Sequence, residues 1–448
     1  MSTGAVEADR TVPTLENRML KQFARTDLLR LTSSSVLLIL SLLGLLGISA
    51  TGQVSSNSFG LSMHAGIIAR QPWPSVSFGT MRLWDAEVSW AQINGSKGYY
   101  KWASLDAWLN EAATHNKTVI YSFGRVPRWA SSAPNDNTCS YGPGQCDPPN
   151  DLNADGTGTN QHWKDFVSAI ATHAAGRINI WELWNEAPNA WYWTGTNKQL
   201  LRMAADARTI VKGIDPNAVI LTPSAGIRGK AYRDWMANYL AQGGGAYADG
   251  IAFHGYIQVG GVYPIAEDFY TYFRMLKQTL ATYGQSNKPL YDTEFSWGRA
   301  SRTGFYDQNL QAGFTTRGLL LHASEGVART VWYMWNSTDV TGTLWAPNPT
   351  DSSASGTLLK PGIAFREVQK WLTNSKFTQR CAGSNSTWSC TLVRQDSSQI
   401  EAVWYTAGSK TYIAASMYHH YRDVYGNTYS IPPSGAVTIG YRPILLEP

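Results

Sequence analysis

The chain is predicted to be an α/β protein, a closed (β/α)8 (TIM) barrel followed by a small antiparallel β-domain. Three observations predict this. Eight short apolar runs alternate with segments of helical spacing over roughly 310 residues, which favours a closed parallel barrel over an open doubly wound sheet. No Gly-x-Gly-x-x-Gly follows the first run, which weakens a dinucleotide-binding sheet. From about residue 376 the helical spacing stops and period-two alternation takes over. The expected layout is an export or anchoring segment at 1–50, the barrel at 51–375 and a small β-sandwich-like domain at 376–448.

The elements follow in order. Residues 59–66 read as the first strand, and Pro72-Trp73-Pro74 makes the connection to the second too short for a long helix. The second strand is 80–85. In 100–116, Trp102, Leu105, Trp108, Leu109 and Ala112 share one helical face. The third strand, 118–123, leads into a loop with two cysteines, and Trp163, Phe166, Val167 and Ile170 mark the next helix. The fourth strand is 178–186, ending in Asn185-Glu186 and broken at Pro188. Helix 198–214, strand 218–222, helix 232–240, strand 250–256, helix 266–283, strand 289–294, helix 309–325, strand 330–335 and helix 363–372 complete the series. Beyond it, 400–405, 411–415 and 436–439 alternate as antiparallel strands, with turn signals at Gly408-Ser409 and Tyr425-Gly426-Asn427.

Composition narrows the function. Only 15% of the 448 residues are charged, while 12% are aromatic and 19 are Trp, more than core filling usually needs. Flat aromatic faces presented to a ligand are the expected use. The net charge of +5 is scattered, with no Lys/Arg run in the main body, so nucleic acid is not an expected partner. At the N-terminus, Arg18, Lys21, Arg25 and Arg30 precede the apolar run 36–50, which ends in small residues. This fits a secretory signal. The polar lead of about 30 residues is long for one, and membrane attachment through 31–50 is the alternative. Either way, the rest of the chain is expected outside the cytoplasm: periplasmic, extracellular or anchored to the outer face of a membrane. The protein is expected to act as a monomer.

Four cysteines form two local pairs, Cys139 with Cys146 and Cys381 with Cys390, in turn-rich segments. Three connectivities are possible. Local closure is expected for an exported protein. Metal binding is the other reading, but the spacings are not those of zinc sites and no histidine clusters beside them. No metal or cofactor is expected.

In such a barrel the C-terminal strand ends form the active face. That rule selects Arg82, Trp84 and Asp85 from the second strand, Asn185 and Glu186 from the fourth, and His254 and Tyr256 from the sixth. It adds Glu294 from the seventh and Trp335 from the eighth. Two carboxylates from different strands, ringed by Arg, Asn, His, Tyr and Trp, can protonate a leaving oxygen and attack a sugar. Each residue also has a structural reading. His254 on an apolar strand can be a satisfied core histidine, and Arg82 can pair with Asp85 or Glu87 at the rim. Trp129, Trp297 and Trp335 can stack sugars or fill the barrel mouth; Trp335 is taken as substrate-binding and the other two are left open. Glu182, deeper in its strand, is a candidate supporting carboxylate, and Asp292 a weaker candidate nucleophile. Trp191-Tyr192-Trp193 are expected at the surface, where they can line a leaving-group subsite.

Trp-Asn-Glu-Ala-Pro-Asn at 184–189, His254-x-Tyr256 and Thr293-Glu294-Phe295 resemble the signature of clan A retaining glycoside hydrolases. Within the clan, Trp-Glu-Leu-Trp-Asn-Glu and Arg82-Leu83-Trp84-Asp85 look most like family 39, in particular its bacterial exopolysaccharide endo-hydrolases, with family 5 as the near rival. The likeness spans roughly 59–448. One departure is Ala187, where Glu-Pro is usual. The resemblance implies Glu186 as acid/base and Glu294 as nucleophile, with Asn185 on the sugar 2-hydroxyl and Arg82 and Tyr256 flanking Glu294. It implies a polysaccharide substrate cut internally. Exo-glycosidase action of the xylosidase kind, transglycosylation and a non-catalytic carbohydrate-binding barrel are the alternatives.

Overall fold

The computed structural model describes residues 52–64, 73–257, 265–297, 300–301, 304–305, 307–335, 342–346 and 356–448. The N-terminal segment read as signal or anchor lies outside them, as do residues 65–72 of the first connection. Among the described residues, no helix is long and apolar enough to cross a membrane.

Eight parallel strands form the barrel: β1 (Phe59–Met63), β2 (Thr80–Leu83), β3 (Thr118–Ser122), β4 (Ile180–Glu182), β5 (Val219–Leu221), β6 (Ile251–His254), β7 (Leu290–Phe295) and β8 (Arg329–Trp332). The hydrogen-bonded order is β5-β4-β3-β2-β1-β8-β7-β6. The seam between β5 and β6 is held by single parallel bridges, Leu221 to Gly250 and Gly226 to His254. The helices are α1 (Trp90–Ile93), α2 (Ala103–Thr114), α3 (Gln161–Ala174), α4 (Asn197–Ile214), α5 (Lys230–Ala241), α6 (Phe269–Thr282), α7 (Gln308–Ser324) and α8 (Lys360–Leu372). The short α1 was not expected. Its start is set by Ser89 and Gln92, whose side chains and backbones form a reciprocal cap. Residues 73–79 of the first connection hold no helix, as expected.

Burial follows the pleat. Ile120, Ile180, Leu221, Ala252, Tyr291 and Val331, one from each of six strands, form a separate apolar cluster that fills the barrel interior. Their strand neighbours, such as Val119, Tyr121, Ile220 and Phe253, belong to the larger cluster shared with the helices. The fourth strand is shorter than expected. It stops at Glu182, and the chain then turns so that Glu186 has φ 40°. Its apolar pattern continues because Leu183 and Trp184 remain buried beyond the regular strand, each still holding one backbone bond to the β5 side.

The C-terminal sheet contains β9 (Lys376–Ser384), β10 (Thr387–Val393), β11 (Gln399–Tyr405), β12 (Ser409–Ile413), β13 (His420–Arg422), β14 (Thr428–Ser430), β15 (Ala436–Gly440) and β16 (Ile444–Glu447). It is antiparallel throughout, ordered β9-β10-β11-β16-β13-β14, with β12 and β15 as a separate pair. The segment between Cys381 and Cys390 reads as a loop in the sequence but is a tight hairpin. Asn385 and Ser386 both take positive φ, the geometry of a two-residue turn that matches strand twist. Both local disulfides, Cys139–Cys146 and Cys381–Cys390, are formed.

Barrel and terminal sheet pack into one compact unit. Helix α7 lies between them and is buried from Gln311 to Ser324. Its one cationic side chain, Arg317, needs a partner in that setting. It forms a two-pronged pair with Glu267, whose Oε1 also accepts the indole N–H of Trp404 on β11 at 2.6 Å. Breaking a buried pair from one side strands a charge. Glu267→Ala is therefore expected to lower unfolding free energy by about 3–5 kcal/mol, measured by denaturant titration. Adding Arg317→Met is expected to recover part of that loss.

Candidate active site

Four strands aim polar side chains at one point inside the barrel mouth. Arg82 is fully buried and donates from Nε and Nη2 to Glu182 at 2.7 and 3.1 Å, and from Nη1 to Glu294 Oε1 at 2.6 Å. Nη2 also reaches Asn185 Oδ1 at 2.6 Å. Burial disfavours its charge, but the carboxylates of Glu182 and Glu294 more than offset this, and its pKa rises. The rim pairing with Asp85 or Glu87 is not formed. Asp85 pairs instead with Arg125 at 3.0 Å and accepts from the Tyr333 hydroxyl at 2.6 Å. Glu182 lies beneath the site as a supporting carboxylate. Burial works against its charge, but Arg82 and His254 pull its pKa down to about 2.

Glu294 also accepts from the Tyr256 hydroxyl at 3.0 Å, as the sequence suggested. His254 is buried between the carboxylates, with Nδ1 2.9 Å from Glu186 Oε1 and 3.5 Å from Glu294 Oε2. Burial lowers its pKa, and the negative charges of Glu294, Glu182 and Glu186 outweigh that, so it is pushed up to about 10. One oxygen each of Glu186 and Glu294 and one nitrogen of His254 lie within 4.8 Å of one another. Three such groups can converge on a cation, but Arg82 already sets a positive charge against Glu294.

The two carboxyls differ in a way the sequence did not suggest. Burial pushes Glu294 up despite His254 and Arg82. Burial also acts on Glu186, but the hydrogen bond and charge of His254 overcome it and hold that carboxyl below its usual range. The positive charge expected to keep the seventh-strand glutamate ionised is present. The larger share of the His254 bond goes to Glu186.

The remaining candidates sort by exposure. Asn185 is buried with its Oδ1 on Arg82, so a sugar hydroxyl would meet its Nδ2 donor. Trp84 is almost fully buried, lying edge-on to Tyr141 and Tyr192 and close against Gly124, where a Cβ would fall 2.4 Å from the ring. Trp335 has no exposed face and stacks on Trp345. Trp297 is buried, and Trp129 is half-buried with its N–H on the Asn94 carbonyl. Trp193 is buried against Trp184, contrary to the surface position expected of it, while Trp191 is 63% exposed. Asp292 is engaged below the site with His322 at 2.7 Å and the Gly255 N–H at 2.9 Å.

Sequence reasoning missed Ser224, beyond the end of β5. Its Oγ accepts from the Glu186 N–H at 3.1 Å. The only signal was its place at the same rim. It also missed two tyrosines around the carboxylates: Tyr141, on the loop after β3, and Tyr333, which follows the end of β8 and was read only as part of the eighth strand.

Comparison with known proteins places the fold among glycoside hydrolases. Residues 201–365 match the family model described as glycosyl hydrolase catalytic core. The matched stretch contains His254, Tyr256 and Glu294 and begins after Glu186. No curated protein sequence matches the chain. Among solved structures, a family 39 glycoside hydrolase from Bacteroides cellulosilyticus WH2 superposes with TM-score 0.63 at 16% identity, covering 88% of this chain and 82% of that one. A family 30 xylanase C catalytic domain from Talaromyces cellulolyticus gives 0.59 at 14%, covering 89% and 98%. A glucosidase from Croceicoccus marinus gives 0.58 at 14%, covering 89% and 96%. At these identities the likeness is one of fold, and it is the barrel with its terminal β-domain that is shared.

The His254 shift has a consequence for stability. A group whose pKa rises from 6.5 to about 10 on folding stabilises the protein fully below its unfolded value, and that contribution is lost as pH rises through about 10. The melting temperature is expected to fall across that alkaline window, and less steeply in His254→Gln, followed by circular dichroism.

Proposed function

We propose that the protein is a retaining O-glycoside hydrolase that cuts an extracellular polysaccharide internally. The observation that carries this is the pair of glutamates at the ends of the fourth and seventh strands, with carboxylate oxygens within 4.8 Å. Double displacement needs the carboxyls about 5–5.5 Å apart, whereas inversion leaves room for a water at about 6.5–9.5 Å.

In the first step an oxygen of Glu294 bonds to the anomeric carbon as the glycosidic C–O bond breaks. The leaving oxygen takes a proton from Glu186. In the second, water attacks the same carbon, gives its proton to Glu186, and the ester bond to Glu294 breaks. Glu186 must therefore be protonated at the start, and His254 is the group placed to supply the proton. Transfer from Nδ1 to Oε1 across 2.9 Å leaves a neutral imidazole and a carboxylic acid. Arg82 and Tyr256 hold Glu294 in place and compensate its charge until it attacks. Once Glu294 is esterified its negative charge is gone, which favours the ionised, basic form of Glu186.

Two disulfides support an extracellular setting. The exposed Trp191, shortly after Glu186 in sequence, supports a cleft that continues past the leaving group.

Three measurements test the reading. Glu186→Gln is expected to lower kcat about 10²–10⁴-fold on the polysaccharide or aryl glycoside that the wild type cleaves, and Glu294→Gln at least as much. Proton NMR of the first product is expected to show the substrate's own anomeric configuration, and the opposite anomer would refute retention. Endo action predicts a rapid fall in polymer length before small sugars accumulate.

A further inference from the structure

Glu186 occupies a backbone conformation that few side-chain-bearing residues adopt, with φ 40°. Regular pairing of β4 with β5 has ended by then, its last register pair being Glu182 with Leu221. Something beyond the sheet has to hold the turn, and the contacts converge on Ser224. Its N–H donates to the Trp184 carbonyl at 2.9 Å, and its own carbonyl accepts from the Ala187 N–H at 3.2 Å. Its hydroxyl accepts from the Glu186 N–H at 3.1 Å and lies 3.4 Å from the Trp184 carbonyl. One residue thus grips the chain on both sides of Asn185-Glu186. Ser224 is fully buried, so water cannot substitute for it.

The same segment holds the partner of Glu186. The Ala225 carbonyl accepts the His254 N–H at 3.0 Å, and the Ile227 N–H donates to the His254 carbonyl at 3.1 Å. Residues 224–227 therefore bridge the tips of β4 and β6 across the seam where the sheet has only single bridges. This bridge ties the backbone of Glu186 to that of His254, whose Nδ1 lies 2.9 Å from Glu186 Oε1. Backbone groups alone supply every bond in it except the two made by the Ser224 hydroxyl.

We infer that Ser224 is the positioning residue of the proton-donating glutamate: its hydroxyl fixes the Glu186 backbone and thereby aims the carboxyl at the leaving oxygen and at His254. This rests on the reading of Glu186 as acid/base. Ser224 touches no substrate. Its removal should therefore weaken proton delivery and leave nucleophilic attack by Glu294 intact.

The test compares Ser224→Ala, Ser224→Thr and Glu186→Ala with wild type on 2,4-dinitrophenyl, 4-nitrophenyl and phenyl glycosides of the sugar that the wild type cleaves. A dinitrophenolate leaves without help, while a phenolate needs a proton. For Ser224→Ala, kcat/KM is expected to fall about tenfold or more on the phenyl glycoside and to stay within about threefold on the dinitrophenyl one. Glu186→Ala should show the same dependence, more steeply. Added azide should raise kcat of Ser224→Ala on the dinitrophenyl glycoside and yield glycosyl azide. Ser224→Thr keeps the hydroxyl and should keep the wild-type dependence. Thermal melting and trapping by a 2-fluoro glycoside count the folded, attack-competent molecules, so kinetic values refer to those alone. An equal loss on all leaving groups, or no loss, in Ser224→Ala would overturn the inference. If Glu186→Ala itself shows no leaving-group dependence, the acid/base reading beneath it fails instead.

Discussion

The site is built around a buried cation. The Arg82 guanidinium cannot shed its proton, and a barrel interior is a costly place for it. It is accommodated because Glu182 and Glu294 supply opposite charge and Asn185 and Ser122 supply further acceptors. Those partners come from β3, β4, β7 and the loop after β4, so one side chain ties together strands far apart in sequence. Removing any one acceptor leaves a buried planar group with an unmet donor. The geometry of Glu294 and Asn185 is thus a by-product of solving a solvation problem. This makes them rigid before any sugar arrives, which is what electrostatic stabilisation of a developing charge requires.

Charge balance at this centre also decides where the mobile proton resides. Arg82 and a protonated His254 face three carboxylates, Glu182, Glu186 and Glu294. Glu182 is committed to Arg82 and stays ionised across the physiological range. The proton these groups share is therefore distributed among His254, Glu186 and Glu294. His254 Nδ1 lies nearer to Glu186, at 2.9 Å, than to Glu294, at 3.5 Å, so the first pair shares it most closely. Such a set titrates as a unit, so pH-rate limbs will belong to the cluster and not to one residue.

Much of this was legible in the sequence, because strand count and strand-end position are patterns of burial. Alternating apolar runs located all eight strands, and counting them put Glu186 on the fourth and Glu294 on the seventh. Arg82, His254 and Tyr256 followed from the same rule. What stayed hidden depends on backbone direction after pairing ends. Periodicity kept the fourth strand running to Glu186, although the chain leaves the sheet at Glu182 and turns. It could not show that Ser224 would meet that turn, since the contact joins residues thirty-eight apart in sequence. It took Trp335 for a sugar platform because strand ends are where platforms sit, whereas the ring lies flat against Trp345 with no exposed face. The Asn385-Ser386 hairpin was missed because its turn residues also serve ordinary loops.

The terminal sheet reaches the same centre through packing. Helix α7 is held on one side by Arg317, through Glu267, to Trp404 of the sheet. On the other side its His322 bonds to Asp292, and the second oxygen of Asp292 takes the N–H of Gly255. Gly255 lies between His254 and Tyr256, and a Cβ there would fall 2.0 Å from the Asp292 carboxylate, so the approach depends on glycine. Each link is buried and joins Arg317 to Glu267 and His322 to Asp292 side chain to side chain, so displacement of the sheet would leave Glu267 and Arg317 without part of their surroundings in an apolar interior. The terminal β-domain is thereby joined through buried contacts to the strand tips that carry His254 and Glu294.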